Sequence, residues 1–481
     1  MRELVDLSPV LRAVGERFTG AGFEIHLVGG SVRDALLAAG PAQEQGAGSA
    51  QQPGAGDLDL TTDAHPEQVL EVLRGWARST WNTGIAFGTV GADVDGMRLE
   101  ITTFRADRYD RESRNPTVAW GSSLVDDLAR RDFTVNAMAV SLSPDRTVTD
   151  PFGGLGDLLA RRLRTPGAAE ESFADDPLRM LRAVRFVAQL GLTPDEEVLA
   201  ALTGMAGELA RITPERVQAE LSKTLLQNSP RAALELFVDS GLAAVVLPEL
   251  PALRMEIDEH HQHKDVYTHS LTVLDQAIAL ERADPAGGSP DLVLRLAALL
   301  HDIGKPGTRR HEPRGRVSFH HHEVLGAKLV RKRLTTLRYS KEIVEDVARL
   351  TFLHLRFHGY GSGEWTDSAV RRYVTDAGDL LPRLHKLVRS DSTTRNTRRA
   401  AALSATYDSL ETRIAELSEQ EDLARVRPDL DGNAIMAILG VGPGPEIGRA
   451  WRFLKELRLE RGPLAPEEAE RELRAWWAAQ P

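Results

Sequence analysis

The chain has 481 residues, 42% hydrophobic and 27% charged, the composition of an ordinary globular protein built on more than one core. Its net charge of −11 argues against a surface coated in cations for non-specific nucleic-acid binding, and leaves RNA contact to local patches. The absence of cysteine excludes disulfides and thiolate metal sites, and no apolar run is long enough to cross a bilayer. Met1-Arg2-Glu3-Leu4 lacks the apolar run of a signal peptide, so a cytoplasmic location with no membrane partner is expected.

In chain order, Glu24 to Val28 reads as a strand and Ser31 to Ala39 as a helix, with Gly29-Gly30 between them. Residues 40–56 are a low-complexity Gly/Gln/Ala/Pro segment, which reads as a surface insertion. A strand follows from Asp57 to Leu60, then a helix over about 66–76 and strands near 85–93 and 97–104. Asp57 and Asp59 are two apart on a strand and so point to one face. Such a carboxylate pair is the usual ligand set for divalent ions that handle nucleoside triphosphates, and it points to nucleotidyl transfer. Backbone N–H groups around Gly29 and Gly30, at a helix start, suit an anionic triphosphate. Arg33 either adds charge there or forms a salt bridge with Asp34 or Asp57.

From about 171 to 235 the pattern is helical, with Pro177 opening one helix and Thr213 a plausible N-cap of another. Asp176 and Arg179 then fall at i and i+3 on a helix, side by side. One reading is an ordinary helix ion pair. The other is a donor edge and an acceptor edge offered to a base. Cytosine and adenine each present an amine for Asp176 and an acceptor for Arg179, whereas uracil and guanine present a carbonyl where the carboxylate needs a donor. Arg182 and Arg185 continue the series and face substrate, pack under Asp175 or are solvated.

From about 245 to 400 the chain is helical and rich in histidine, and a last helical region begins near 401. There, Gly440 to Gly448 is a Gly/Pro-rich turn opening a helix with Arg449, Arg452, Lys455 and Arg458 along it. This reads either as a basic stripe for RNA phosphates or as a solvated amphipathic face with Trp451, Leu454 and Leu457 inward.

Five ordered motifs over roughly 20–230 resemble the class II tRNA nucleotidyltransferase and bacterial poly(A) polymerase family. They are residues 26–39 with 57–62, Arg130-Arg131-Asp132-Phe133-Thr134-Val135-Asn136-Ala137, Asp150 to Leu158, Asp175-Asp176-Pro177-Leu178-Arg179, and Arg211 to Val217. The insertion at 40–56 departs from the family, which has a short connection there. The resemblance implies an α+β nucleotidyltransferase head (mixed sheet with helices) over 1–160, followed by all-α domains. These are a base-selecting neck at 161–244, a domain at 245–400 and an RNA-binding tail at 401–481, with Arg449, Arg452 and Lys455 as candidate RNA contacts. It places two Mg²⁺ ions on Asp57 and Asp59. Glu100, on the strand Met97–Phe104, is either a third metal-side carboxylate or a solvated strand residue. Arg131, Asp132 and Asn136 are implied around the triphosphate and ribose, and Asp176 with Arg179 at the base. The implied activity is addition of C and A from CTP and ATP to tRNA 3′ ends. A poly(A) polymerase, or a CC- or A-adding enzyme, shares every motif. DNA is not an expected partner.

Within 255–395 the order His269, His301-Asp302, His322, His354 and Asp391 resembles the HD phosphohydrolase superfamily. That match implies His269, His301, Asp302 and Asp391 as metal ligands, with His322 and His354 for a second ion. Such mixed donors suit Mn, Fe, Co, Ni or Zn. The alternative of another class is thus a metal phosphohydrolase acting on RNA 3′ phosphates or 2′,3′-cyclic phosphates.

Overall fold

The computed structural model describes residues 8–38, 58–82, 85, 88–105, 121, 123–255, 265–285, 288–313, 316–357, 365–394, 396–421, 423 and 426–480. The chain divides into two units, Met1–Val246 and Leu247–Pro481.

The first unit begins with α1 (Pro9–Gly20), β1 (Ile25–Val28), α2 (Gly30–Ala38), β2 (Leu58–Thr62) and α3 (Pro66–Leu73). β3 (Ser79–Trp81), β4 (Thr89–Val94), β5 (Met97–Thr103), α4 (Leu124–Ala129), β6 (Ala139–Ser141), β7 (Val148–Thr149) and α5 (Gly154–Leu159) follow. The seven strands form one sheet in the order β3-β4-β5-β2-β1-β6-β7. β2 and β5 run parallel, and every other neighbouring pair is antiparallel. β1, Ile-His-Leu-Val, is buried throughout, as an interior strand covered on both faces must be. The chain leaves β1 for α2 through Gly29, whose φ of +71° an L side chain rarely adopts.

The expected helix at 66–76 starts at Pro66, with the His65 N–H donated to the Gln68 side chain at 2.8 Å, and stops at Leu73. α1 and the short strands β3, β6 and β7 are additions to the sequence reading. Each strand is only two or three residues long, too short to carry a visible alternation.

Next come β8 (Arg162–Leu163), α6 (Ala169–Asp175), α7 (Leu178–Leu190), β9 (Thr193–Pro194), α8 (Glu196–Gly204), α9 (Pro214–Leu225), α10 (Arg231–Asp239) and α11 (Leu242–Val246). Thr213 occupies the N-cap position of α9, but its side chain makes no capping bond. α7 buries Leu178, Met180, Leu181, Ala183, Val184 and Phe186 and keeps Arg179, Arg182 and Arg185 along its partly buried side.

The second unit is nearly all helical. It contains α12 (Val266–Ala283), α13 (Leu292–Leu300), α14 (Lys305–Thr308), a hairpin of β10 (Arg310–Glu312) and β11 (Arg316–Ser318), α15 (His322–Thr336) and α16 (Lys341–Leu353). α17 (Asp367–Ala377), α18 (Leu381–Asp391), α19 (Thr397–Gln420), α20 (Gly432–Leu439), α21 (Pro445–Arg461) and α22 (Pro466–Ala478) complete it. The last three helices share a small core of Leu430, Ile435, Ala450, Leu454, Ala469 and Leu473. No helix among the described residues is long and apolar enough to cross a membrane.

α12 and α13 are joined by a buried ion pair. Arg295 is 1% exposed and donates to Glu281 Oε2 from Nη2 at 2.6 Å and from Nε at 2.9 Å. Removing one member of a buried pair leaves the other charge without its counter-ion, at about 3–5 kcal/mol. Glu281→Ala is therefore expected to lower the stability of this unit by about that amount in urea titration, and Glu281→Ala with Arg295→Met to recover part of the loss.

Candidate functional site

Two groups of chemistry-bearing residues stand apart in the sequence, one in each unit. In the first unit, Asp59 on β2 and Glu100 on β5 are register partners in parallel strands, which puts their side chains on one face of the sheet. Asp57 lies outside the described residues. Asp59 Oδ2 comes within 3.5 Å, and Arg131 Nη1 within 3.1 Å, of the place a Cβ on Gly29 would take. The turn after β1, the carboxylate strand and Arg131 thus meet at one point. The buried Nε of Arg131 has no hydrogen-bond partner in the described structure. Donors beside a bare glycine turn, with hard carboxylate oxygens across from them, suit a triphosphate held with Mg²⁺.

Arg33 is 4% exposed, pairs with Asp34 at 2.7 Å and donates to Asn136 Oδ1 at 2.7 Å. The Asn136 amide donates to Asp132 Oδ1 at 3.0 Å, as does the Phe133 N–H at 2.8 Å. The other Asp132 oxygen accepts Arg182 Nε at 2.7 Å. Burial alone pushes the Asp132 carboxyl up, but Arg182, Asn136, Arg179 and the Phe133 N–H together hold it below the ordinary value. Phe186 lies among the guanidiniums of Arg33, Arg182 and Arg185, 5.4, 6.0 and 4.3 Å from its centroid, and meets Phe133 edge-on at 5.6 Å.

The Asp176–Arg179 pair differs from the expected helix arrangement. α6 ends at Asp175, and Asp176 is extended, with φ −138° and ψ 98°. Pro177 is the cause, because proline disfavours the helical region for the residue before it. Arg179 sits in the first turn of α7. The Asp176 carboxylate accepts the Leu178 N–H at 3.1 Å and Arg216 Nη2 at 2.9 Å. Arg179 Nη1 donates to Ser172 Oγ at 2.7 Å and Nη2 to the Arg130 carbonyl at 2.6 Å. The two side chains are therefore held separately, by α9 and by the residue preceding Arg131. Arg182 is turned to Asp132, and Arg185 donates to buried Glu220 at 2.6 Å and to Gln189 at 2.5 Å. Arg216 and Ser172 have no role legible in the sequence, because nothing in their spacing shows which side chains they hold.

In the second unit, His269 (α12), His301 and Asp302 (the turn after α13), His322 (first residue of α15), His354 (the end of α16) and Asp391 (the end of α18) converge. His301 Nδ1 faces the Ala298 carbonyl at 2.9 Å, His322 Nδ1 that of Phe319 at 2.9 Å, and His354 Nδ1 that of Thr351 at 2.6 Å. Each imidazole donates its N–H to the carbonyl three residues back and turns Nε2 inward, the orientation of a metal ligand. His269 Nε2 lies 2.9 Å from Asp391 Oδ1 and 3.3 Å from His301 Nε2. His322 Nε2 lies 3.2 Å from His354 Nε2 and 3.2 Å from Asp302 Oδ1. Asp302 Oδ2 is 3.2 Å from His301 and 2.9 Å from the Lys305 ammonium. Two triads that could each hold a metal ion thus form, His269–His301–Asp391 and Asp302–His322–His354, with Asp302 touching both.

This donor set fits a borderline transition-metal ion of the Mn-to-Zn series. Burial and the neighbouring His301 charge hold His354 down at about 3, in the neutral form that binds metal. Burial opposes the charge on His301, but Asp302 and Asp391 outweigh it and raise that imidazole to about 10. The His269 and Asp391 side chains are 18% and 16% exposed against 5% or less for His301, Asp302, His322 and His354, so the centre opens on the His269–Asp391 side.

In the tail, Arg449 lies 3.6 Å from Glu446, Arg452 donates to the Gly448 carbonyl at 3.2 Å and Lys455 lies over the Trp451 ring. Leu454 and Leu457 are inward, whereas Trp451 is 36% exposed. Arg458 is no part of an outer stripe. It is on the buried side of α21, paired with Asp429 and 3.8 Å from Glu421.

A sheet carrying a carboxylate strand beside a glycine turn, joined to a helical neck, followed by an imidazole–carboxylate centre, defines a nucleotidyltransferase with an appended HD-type domain. Residues 25–164 match the family "Poly A polymerase head domain", 191–253 "Probable RNA and SrmB-binding site of polymerase A" and 266–396 "HD domain". An A-adding tRNA nucleotidyltransferase of Deinococcus radiodurans is 36% identical over 364 residues, 74% of this chain and 80% of that protein. A CCA-adding enzyme of Geobacillus kaustophilus is 40% identical over 232 residues, 48% of this chain and about half, 52%, of its own length. The Bacillus stearothermophilus CCA-adding enzyme solved with CTP shares the fold at 24% identity and a TM-score of 0.65, with 98% of each chain covered. The Thermotoga maritima enzyme solved with tRNA does so at 18% and 0.61, covering 98% of this chain and 97% of that one. The chain belongs to the tRNA nucleotidyltransferase and poly(A) polymerase family.

Two outcomes follow from this geometry. Because Asp132 is depressed in the folded state, its contribution to stability is full above the ordinary carboxylate range, near pH 4, and is lost as the pH falls through its folded value. The stability advantage of wild type over Asp132→Asn, from urea midpoints, is expected to hold from about pH 7 to 5 and to shrink below about pH 4. In the second unit, a Cβ on Gly304 would lie 2.1 Å from the His322 carbonyl oxygen and 2.7 Å from the Gly326 nitrogen. Gly304→Ala is expected to part the His301–Asp302 turn from α15 and to lower retained Mn or Ni, read by elemental analysis after dialysis.

Proposed function

We propose that the protein adds C and A, without a template, to the 3′ ends of tRNA from CTP and ATP, releasing pyrophosphate. The observation that carries this is the bond from Arg179 to the Arg130 carbonyl. It ties a donor that suits the acceptor edge of C or A to the segment whose next residue, Arg131, reaches the glycine turn and Asp59. Asp176, held by Arg216, supplies the matching acceptor for the base amine. Asp132 and Asn136 support the ribose side, with Arg33 and Arg182 positioning them.

In this reading Asp57 and Asp59, with Glu100 beside them, hold two Mg²⁺ ions. The ions would stabilise the attacking 3′-oxygen and the leaving pyrophosphate. Residues 1–160 act as the head, 161–244 as the base-selecting neck, 245–400 as the HD domain and 401–481 as the tail. In the tail, Arg449, Arg452 and Lys455 meet RNA phosphates. The setting is the cytoplasm.

Two observations favour further readings. The relative with 80% of its length covered is an A-adding enzyme, so restriction to the terminal A is the nearest variant. The six converging ligands favour a second activity, hydrolysis of RNA 3′ phosphates or 2′,3′-cyclic phosphates, in which a bound transition-metal ion would supply an activated water.

The test is incorporation from labelled CTP and ATP, singly and together, into tRNA transcripts ending before CCA and after CC. CTP followed by one A is expected on the first transcript, with Asp59→Ala reducing incorporation at least about a hundredfold. Incorporation of A only on the CC transcript identifies the A-adding variant. Long A tails on any RNA would overturn the tRNA reading.

A further inference from the structure

We infer that Asp127, three residues before the Arg130-Arg131-Asp132 motif, is a positioning residue that holds Arg131 against the triphosphate. This rests on the nucleotide site proposed above. Asp127 ends the first turn of α4 and is fully buried, at 0% exposure. A buried carboxylate persists only where it is paired and hydrogen-bonded. Its Oδ1 accepts Arg130 Nε at 3.2 Å and Nη2 at 3.1 Å. Its Oδ2 accepts Arg131 Nη2 at 3.3 Å and Thr61 Oγ1 at 3.3 Å. Thr61 belongs to β2, two residues from Asp59, so the carboxylate is fixed to the strand that carries the metal-side acid.

The donors of Arg131 are divided between the carboxylate and the glycine turn. Nη2 is committed to Asp127. Nη1 points to the Gly29 turn beside Asp59, and Nε is buried without a partner. Asp127 thus fixes one corner of the guanidinium and leaves donors for an anion. It also grips Arg130, whose carbonyl accepts Arg179. The base end of the segment keeps a tether of its own, the bond from Arg179 to the Arg130 backbone carbonyl, which the carboxylate does not supply. Substituting Asn removes the charge and keeps the shape, so Arg131 loses its anchor while the fold around α4 is retained.

Equilibrium binding of CTP and CMP to the full-length protein, by isothermal titration calorimetry with Mg²⁺, tests this in wild type, Asp127→Asn, Arg131→Ala and the double variant. Asp127→Asn is expected to weaken CTP about tenfold, the scale of one charged hydrogen bond, and to leave CMP within about twofold. The double variant should be no weaker than Arg131→Ala, because the two residues act as one unit. Equal losses for CTP and CMP, or losses that add in the double variant, would show a merely structural carboxylate and overturn the proposal. CTP binding by wild type that Asp127→Asn leaves unchanged overturns the proposal alone. A wild type that binds no CTP overturns the nucleotide site itself, and this proposal with it.

Discussion

The N-terminal unit depends on how residues 130–136 are fastened to helix α7. Three contacts do this. Arg179 donates to the Arg130 carbonyl at 2.6 Å, Arg182 to the Asp132 carboxylate at 2.7 Å, and Phe186 meets Phe133 edge-on. Hydrogen bonds that include a charged group contribute roughly 1.5–3 kcal/mol each, so two of them with an aromatic contact make a stiff joint. A protein that chooses a base without a template needs that stiffness. On the proposed function, the groups that would read the base must keep a fixed distance from those that would hold the triphosphate, and misplacement by about 1 Å costs orders of magnitude in rate. The joint also accounts for the concentration of arginine on one side of α7, where Asp132, Glu220 and the Phe186 ring offer each guanidinium a partner.

The second unit solves a different problem by repeating one local device. His301 and His354 each follow the last residue of a helix, where carbonyls lack helical partners, and each gives its Nδ1–H to such a carbonyl. His322 does the same with the turn before α15. The ring orientation is thereby set with Nε2 inward, where a bound ion would take the place of the proton that His301 carries there. The two ligand triads come into register because Gly304 and Gly326 let the backbone of the His301–Asp302 turn lie directly on α15.

Much of this is legible in the sequence, part of it for a physical reason. Gly29 and Asp59 can be read because chemistry demands particular residue types at fixed spacing, whereas Arg131, Asp132 and Asn136 come only from the resemblance of residues 130–137 to a family motif. The His301-Asp302 pair can be read because a His-Asp pair closing an apolar helix is costly to bury unless it has an ion or a counter-charge to hold, and the other four candidate ligands come from the resemblance to the HD superfamily. The i,i+3 spacing puts Asp176 on a helix with Arg179, but spacing carries no sign of what Pro177 does to the residue before it. Arg458 reads as exposed from its cationic neighbours. Its position on α21 brings it to Asp429, and pairing across such a distance in sequence has no local signature. Asp127 has no signature either, because acids near a helix start are common, as Asp126 beside it shows, and only the burial and the two guanidiniums distinguish it.

The central claim is that Arg179, bound to the head through Arg130, reads the base. The most direct measurement is the affinity of CTP, ATP, UTP and GTP for wild type and Arg179→Ala under identical Mg²⁺ and salt. The account predicts that wild type prefers CTP and ATP to UTP and GTP. In Arg179→Ala that preference collapses, and all four keep similar affinity through the shared triphosphate. An Arg179→Ala protein that binds all four and ranks them as wild type does would contradict it.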